Sequence, residues 1–448
     1  MSTPSHEGIS SWPQDRYEGE LHQRIQSYLD SPLAAADKVW VNGRWDALPR
    51  TDKASMCYKA FIEIMNKIAK DFGLDQQRVA IDTKDRSIPH LTMGLQPPTE
   101  GLTTRPDFSV VGVGECLSPF RDMGVVESNL TYRNIRSVID LKNNQEVRSR
   151  DSSYDVGIQL ACYAREQLYE QPNRLFVDSL AVSYQYMRLF CFDRAGPSFF
   201  DCVDIHAYPV LFVQAILLMF ADDAAIGLDE SVEYDSDSSP QVSATVTGTL
   251  DISHCDSERA PPEIPDADSG AELGSLVTRL RRTSLTQSHS RPDSLKITGL
   301  GLNRSSIFGR GTTCWYVEDA ISKEKYIVKD YWRASTRPSE AAILLAGSGL
   351  SGVGEVYAFQ DLVPVPDFAD DTGMDGAYNT ISGIRGYDVM MMLTLQDPKA
   401  RRHTGHTLSN RDHCRIISRR YYGDLSTAFN YTCLLVAFRD AVVGKPIA

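Results

Sequence analysis

Apolar positions recur at four-residue spacing between Asp52 and Gly73, where Met56, Ala60, Ile64, Ile68 and Phe72 mark one face. That spacing predicts an amphipathic helix, with Lys70 in its last turn and Gly73 as its stop. Over 107–142 and 174–193 the pattern changes to short runs of β-branched and aromatic residues. FSVVGVGE (108–115), SVIDLK (137–142), LFVDSLAVSY (175–184) and YMRLFCFD (186–193) predict strands. Between them, 155–170 reads as a helix with Ile158, Ala161, Cys162 and Tyr169 available to its buried side. The most apolar run, from Tyr208 to Phe220, is too short to cross a bilayer and predicts a buried helix. The order helix, strands, helix, strands predicts an α/β module over 51–228, with 1–50 as a peripheral N-terminal segment.

The pattern breaks near 229. DESVEYDSDSSP (229–240) is acidic and serine-rich, and the stretch that follows is poor in aromatic residues. Such a composition buries too little apolar surface to offset chain entropy, so 229–294 is expected to be a disordered linker. Ser236, Ser238 and the Arg281-Arg282-Thr283-Ser284 run resemble phosphorylation sites within it. Folded character resumes over 295–448. IFGRGTTCWYVED (307–319) and KYIVKDYWR (325–333) predict paired strands, and Ser339 to Ala346 a short helix. VGEVYAFQD (353–361) and GYDVMMMLTL (386–395) predict further strands, and 421–443 a long helix. The fold class expected is α+β, two folded halves joined by a linker.

Charge and cysteine usage narrow the function classes. A formal net charge of −13 argues against a generic nucleic-acid or membrane binder. The 9 cysteines form no CxxC pair, which argues for reduced thiols and against a zinc site or disulfide framework. The N-terminal residues carry no apolar leader. An intracellular protein, cytoplasmic or nuclear, is the expectation. His403, His406 and His413 match no metal-ligand spacing and read as part of a solvated loop.

The richest chemistry lies after 295. Gly309-Arg310-Gly311 sits between two strand-forming runs, where a glycine turn lets backbone approach nucleotide phosphates. Lys329 follows on the next strand, where an ammonium can reach the α- and β-phosphates. Glu340 opens the next helix and can hold that ammonium as an ion pair. The strand 386–395 would supply the hinge side of an adenine slot.

GRGTTCWYV (309–317), YIVKDYWR (326–333), the SEAAILL helix (339–345) and the upstream block from VIDLKNN to MRLFCFDRAG (138–196) together resemble the fungal-specific protein-kinase-like family. The resemblance covers roughly residues 50–448. It implies a kinase-type lobe that binds ATP, with Lys329 on the phosphates, Glu340 paired to it and Mg²⁺ as the accompanying cation. The departures are specific. Cys314 replaces the third glycine, and no His-Arg-Asp with a downstream Asn follows. Asp71-Phe72-Gly73 spells the metal-binding triplet but falls far upstream, at a helix end. The expectation is a catalytically incomplete kinase relative, as given, with no catalytic residue assigned. The alternative is a pseudokinase or interaction module. Protein substrate, partner and oligomeric state are not specified by the sequence.

A second constellation lies upstream. Pro106-Asp107 begins one strand-like run and Asp140-Leu141-Lys142 ends another, with Gln159 on the following helix. This resembles the PD…(D/E)xK signature of restriction-endonuclease-like folds. Two carboxylates on adjacent strands can hold a divalent metal while the lysine polarises the attacking water. Asp140 and Lys142 are two apart on a strand and share a face. Glu63 on the early helix is a further carboxylate within the same module. A structural polar cluster is the competing reading for Asp140, Lys142 and Gln159.

Overall fold

The computed structural model of the chain describes residues 20–31, 40–51, 53–75, 77–90, 102–112, 130–223, 225–234, 246–253, 255, 292–348, 354–361 and 411–419. Among the described residues the fold is mixed, with helices packed on two antiparallel-dominated sheets of seven strands each, beside two short two-stranded pairs.

The first sheet holds the upstream module. Helix α1 (Glu20–Leu29) and helix α2 (Ala54–Asp71) precede strands β1 (Arg78–Asp82), β2 (Phe108–Gly112) and β3 (Ile135–Leu141). Helices α3 (Asn144–Arg148) and α4 (Arg150–Glu170) cross back to β4 (Val177–Val182). Strands β5 (Tyr186–Asp193), β6 (Gly196–Phe199) and β7 (Val203–Asp204) and helix α5 (Pro209–Met219) complete it. The sheet order is β6-β5-β4-β3-β2-β1, with β7 also on β5. Only β3 and β4 run parallel, and the α3–α4 crossover joins them. Every residue of β3 and β4 is buried, as expected for strands covered on both faces.

The helices begin and end for local reasons. Asn143 caps α3 through its side chain while Glu146 reaches back to the Asn143 amide. The Ser149 hydroxyl accepts from the Ser152 amide and starts α4. Pro209 opens α5, which is apolar on all sides and accordingly sunk in the core. Asp71-Phe72-Gly73 is a helix terminus: the Gly73 amide bonds the Lys70 carbonyl, with Gly73 at φ 81°.

Strand β5 matches its expected limits, β2, β3 and β4 lie where the sequence puts them, and β1, β6 and β7 were not expected. The facing of two helices differs from expectation. On α2 Ala60, Ile64 and Ile68 are buried as expected, but the stripe is centred on them together with Cys57, Phe61 and Met65, and Met56 is exposed. On α4 the buried face carries Val156, Leu160, Tyr163, Leu168 and, as expected, Tyr169, leaving Ile158 and Cys162 outside. Where it is described, the segment expected to be peripheral reaches the core: Ile25 and Trp45 are fully buried with α2 and α5. The Trp45 indole donates to the Ile205 carbonyl, which fixes it in that core.

The second sheet builds the downstream lobe from β8 (Val232–Tyr234), β9 (Gly248–Asp251), β10 (Ser294–Asn303), β11 (Thr313–Glu318), β12 (Lys325–Ala334), β13 (Val356–Asp361) and β14 (Arg411–Arg419). The order is β8-β9-β10-β11-β12-β14-β13, and every pairing is antiparallel. Helix α6 (Glu340–Ala346), capped by the Ser339 hydroxyl on the Ala342 amide, packs on one face. Strands β8 and β9 correct the linker expectation, because both fall within 229–294 and extend the sheet from β10. Val232 and Leu250 supply the apolar anchors that a composition average over that stretch hides. Strand β14 pairs with β12, and 386–395, expected to supply the hinge side of an adenine slot, lies outside the described residues. The helix expected over 421–443, His403, His406 and the phosphorylation-like serines and threonine also lie outside them. His413 is not in a solvated loop; it sits in β14 with its ring against Trp332.

Alternation along β12 assigns its two faces. Lys329 and Tyr331 look toward α6, while Val328, Asp330 and Trp332 look the other way, onto the upstream module. Trp332 packs with Phe176, Cys191 and Ala195. Arg415 donates to Asp330 of the lobe and to Asp229 and Ser231 at the start of β8. The seam between the two modules is apolar at Trp332 and hydrogen-bonded at Asn303, whose Nδ2 donates to the Tyr169 carbonyl.

Candidate functional site

Lys329 and Glu340 form the centre of the lobe's site. The Lys329 ammonium donates to both Glu340 carboxylate oxygens, at 2.6 and 2.7 Å, from mid-strand to the first turn of α6. A carboxylate at a helix start also complements the helix dipole. The ammonium lies 5.0 Å from the centroid of the Tyr331 ring on the same face. Cys314, on β11, is the direct cross-strand neighbour of Lys329. Burial raises its thiol above the ordinary range, against the lowering effect of the Lys329 charge, so a neutral thiol stands where the third loop glycine would be.

The glycine turn spans 304–312 between β10 and β11, and both glycines need to be glycine. Gly309 has φ 118° and Gly311 φ 48°. Around Gly309 a Cβ would meet nothing within 4 Å, whereas at Gly311 it would lie 2.3 Å from the Arg194 Nε. Arg194 belongs to the upstream β5–β6 hairpin. It is buried, and burial pulls its guanidinium down to about 10 while the neighbouring Asp193 carboxylate opposes that shift. The Gly309 amide donates to the Arg194 carbonyl at 3.0 Å, and Arg194 Nη1 donates to the Ser306 carbonyl at 2.6 Å. So the lobe's turn is held from the upstream module.

The upstream constellation also comes together. Asp107, at the start of β2, and Asp140, near the end of β3, lie side by side. The Asp107 amide donates to Asp140 Oδ1 at 3.2 Å. Lys142 Nζ is 3.0 Å from Asp140 Oδ2 and 2.9 Å from Gln159 Oε1. Gln159 continues the chain to the Tyr163 hydroxyl, which donates to the Arg105 carbonyl. Asp107 accepts from the Tyr58 hydroxyl at 2.6 Å and from the Leu141 amide at 2.8 Å. Burial raises the Asp140 carboxyl, the Lys142 charge lowers it and the Asp107 charge adds to the rise. The Tyr58 and Tyr163 phenols are both pushed up by burial and by these carboxylates. Glu63 does not join; it faces solvent with Lys59. No group of three or more potential metal-ligating side chains is present among the described residues.

Sequence reasoning missed Tyr58, Tyr163 and Arg194. The tyrosines sit at helix positions that read as ordinary half-buried aromatics. Arg194 lies in a hairpin turn, Asp193-Arg194-Ala195-Gly196, with no signal for a partner more than a hundred residues on.

A family model described as fungal protein kinase matches residues 120–446. No curated protein and no solved structure matches the chain. The match begins before β3 and runs through the whole described lobe, so the family unit includes much of the upstream module as well as the glycine turn, Lys329 and Glu340. On that extent of match, together with the strand, lysine and helix arrangement described above, the chain belongs to the fungal protein kinase family.

Proposed function

We propose that the downstream lobe binds ATP, with Lys329 contacting the phosphates and Glu340 holding the Lys329 ammonium. The single observation that carries this reading is the two-pronged Lys329–Glu340 pair at 2.6 and 2.7 Å, set on a strand and helix in a lobe of the right connectivity. A half-exposed ion pair adds little to stability. Its alignment across two elements makes sense as preparation for an anionic ligand. Gly309 and Gly311 would frame the phosphates from above, and Cys314 would line the slot beside Lys329. Mg²⁺ would travel with the nucleotide's phosphates and neutralise part of their charge. The sequence supplies no His-Arg-Asp, and its Asp-Phe-Gly forms a helix end in the upstream module. The proposal concerns nucleotide binding by this lobe. Calorimetric titration of the full chain with MgATP tests it. Wild type should bind, and Lys329→Ala should lose at least about tenfold in affinity, roughly 1.4 kcal/mol. Indistinguishable heats for the two proteins would sink the reading.

A second reading concerns the upstream module. Asp107 and Asp140 lie on neighbouring strands, with Lys142 and Gln159 beside them. Under this reading the two carboxylates hold a divalent cation, and Lys142 polarises a water for phosphodiester cleavage. Every carboxylate oxygen already has a protein partner within 3.2 Å, which equally suits a structural polar cluster. Incubating DNA with Mn²⁺ and either wild type or Asp140→Ala decides it: equal loss of substrate in both excludes this site.

A further inference from the structure

The contact between Arg194 and the glycine turn has a consequence for the nucleotide site. A kinase-type turn uses its backbone amides and missing side chains to admit phosphates. Here the Gly309 amide is already bonded to the Arg194 carbonyl, and the space left by the absent Gly311 side chain is filled by the Arg194 guanidinium. Arg194 Nη1 fixes the turn a second time, at Ser306. The turn makes a third contact through Phe308, whose ring lies 3.8 Å from the point a Cβ would take on Gly196 and carries the Arg411 guanidinium 5.3 Å from its centroid. On the strand side the Trp332 amide donates to the Arg310 carbonyl at 2.7 Å, while the Trp332 ring is packed on Phe176, Cys191 and Ala195. Four consecutive turn residues, 308–311, are thus tied to the upstream hairpin or to the strand face that this hairpin covers.

We propose that the Asp193–Gly196 hairpin is a latch on the glycine turn: seated, it holds Gly309–Gly311 away from a nucleotide's phosphates, and unseated, it lets the turn close over them. Arg194 is a positioning residue and does not itself touch the ligand. This rests on the ATP reading above. The latch makes nucleotide affinity a property of both modules, because the apparent dissociation constant rises as the released state becomes rarer. By linkage, nucleotide binding would in turn loosen the hairpin's hold on the lobe. The extent of the family match fits this arrangement, since it spans both the hairpin and the turn.

Two substitutions that keep the Arg194 stem in place separate the roles. Arg194→Met removes the donor to Ser306 and the plane against Gly311, and Arg194→Lys keeps a donor. Hydrogen exchange across 304–312 is measured without nucleotide, and MgATP affinity is measured by calorimetry on the full chain, with Lys329→Ala as the control for the site itself. Exchange in the turn should rise about tenfold in Arg194→Met with the β3 and β4 amides unchanged, and affinity should tighten about tenfold, with Arg194→Lys between the two proteins. Unchanged exchange in the turn overturns the latch. Faster exchange with equal or weaker binding also overturns it, while wild-type binding that Lys329→Ala abolishes leaves the ATP reading standing. Absence of binding in wild type and Arg194→Met alike defeats the ATP reading and the latch together.

Discussion

Each module carries one lysine–carboxylate pair at its site, and the two pairs are built for opposite conditions. Lys142 and Asp140 are 13% and 0% exposed, and they sit in a chain of contacts from Tyr58 through Asp107 to Gln159 and Tyr163. Lys329 and Glu340 are 28% and 35% exposed, and their closest contacts are with each other and with the Tyr331 ring. Desolvation makes the upstream pair expensive to break and hard to reach. The lobe's pair is within reach of solvent and so of a soluble ligand. Burial thus separates a pair closed among its own partners from a pair open to solvent.

The largest expected effect tests that separation at the upstream pair. Lys142→Met leaves the Asp140 carboxylate buried beside Asp107 with no cation, and the expected loss is about 3–5 kcal/mol of unfolding free energy in urea. A loss under about 1 kcal/mol would show that water reaches Asp140 and that the contrast with the lobe is overstated.

A smaller effect comes from pH. Burial, offset in part by Lys142, raises the Asp140 carboxyl above its ordinary value, so the folded chain holds that proton more tightly than the unfolded chain does. The sign follows from linkage: between the ordinary carboxylate value and the raised one, N binds more protons than U, so wild-type stability falls as pH rises through that window. Relative to Asp140→Asn, wild type should weaken with rising pH by no more than about 1.4 kcal/mol per unit, the limit for one proton. Urea denaturation of both proteins from pH 4 to pH 7 checks it. A difference that is flat, or that grows in wild type's favour, contradicts the buried assignment.

The Tyr58 hydroxyl is the outer end of the same chain. Tyr58→Phe removes one donor from a charged acceptor and should lower stability by about 1.5–3 kcal/mol if Asp107 is left without a replacement, and by less if water takes its place. The size of the effect therefore reports how closed the upstream cluster is.

What the sequence discloses follows the same physics. Periodicity finds α5, β5 and α6, where apolar residues alone determine burial. The Lys329–Glu340 and Asp140–Lys142 pairs are legible too, because each is local, within one strand or one strand–helix step. Strand β14 is not, since Arg415 and Asp412 point inward and a pattern reader scores charge as solvated. Arg415 is buried only because Asp330 and Asp229 meet it from two other strands' neighbourhoods, which push its guanidinium above the ordinary range despite desolvation. Helix α1 is missed for a related reason: its few apolar residues acquire a core only when α5 arrives from nearly two hundred residues downstream. Arg194 and the glycine turn meet across 112 residues, with no local signal on either side.

The smallest effect on stability is expected to be the largest on binding. Lys329→Met should change the unfolding free energy by at most about 1 kcal/mol, because a pair open to solvent gains little over its hydrated parts and Glu340 can turn to water once released. The same change should remove most of the affinity for MgATP, because the ammonium is the one cation that α6 holds aligned on that face of β12 among the described residues. Lys142→Met should show the reverse, a large loss of stability with MgATP affinity unchanged in whatever fraction stays folded. Measuring both variants by urea denaturation and by calorimetry places them at opposite corners of one plot. If Lys329→Met instead unfolds the chain as readily as Lys142→Met, then the lobe's pair is a strut like its upstream counterpart, and the case for a ligand at Lys329 loses its physical basis.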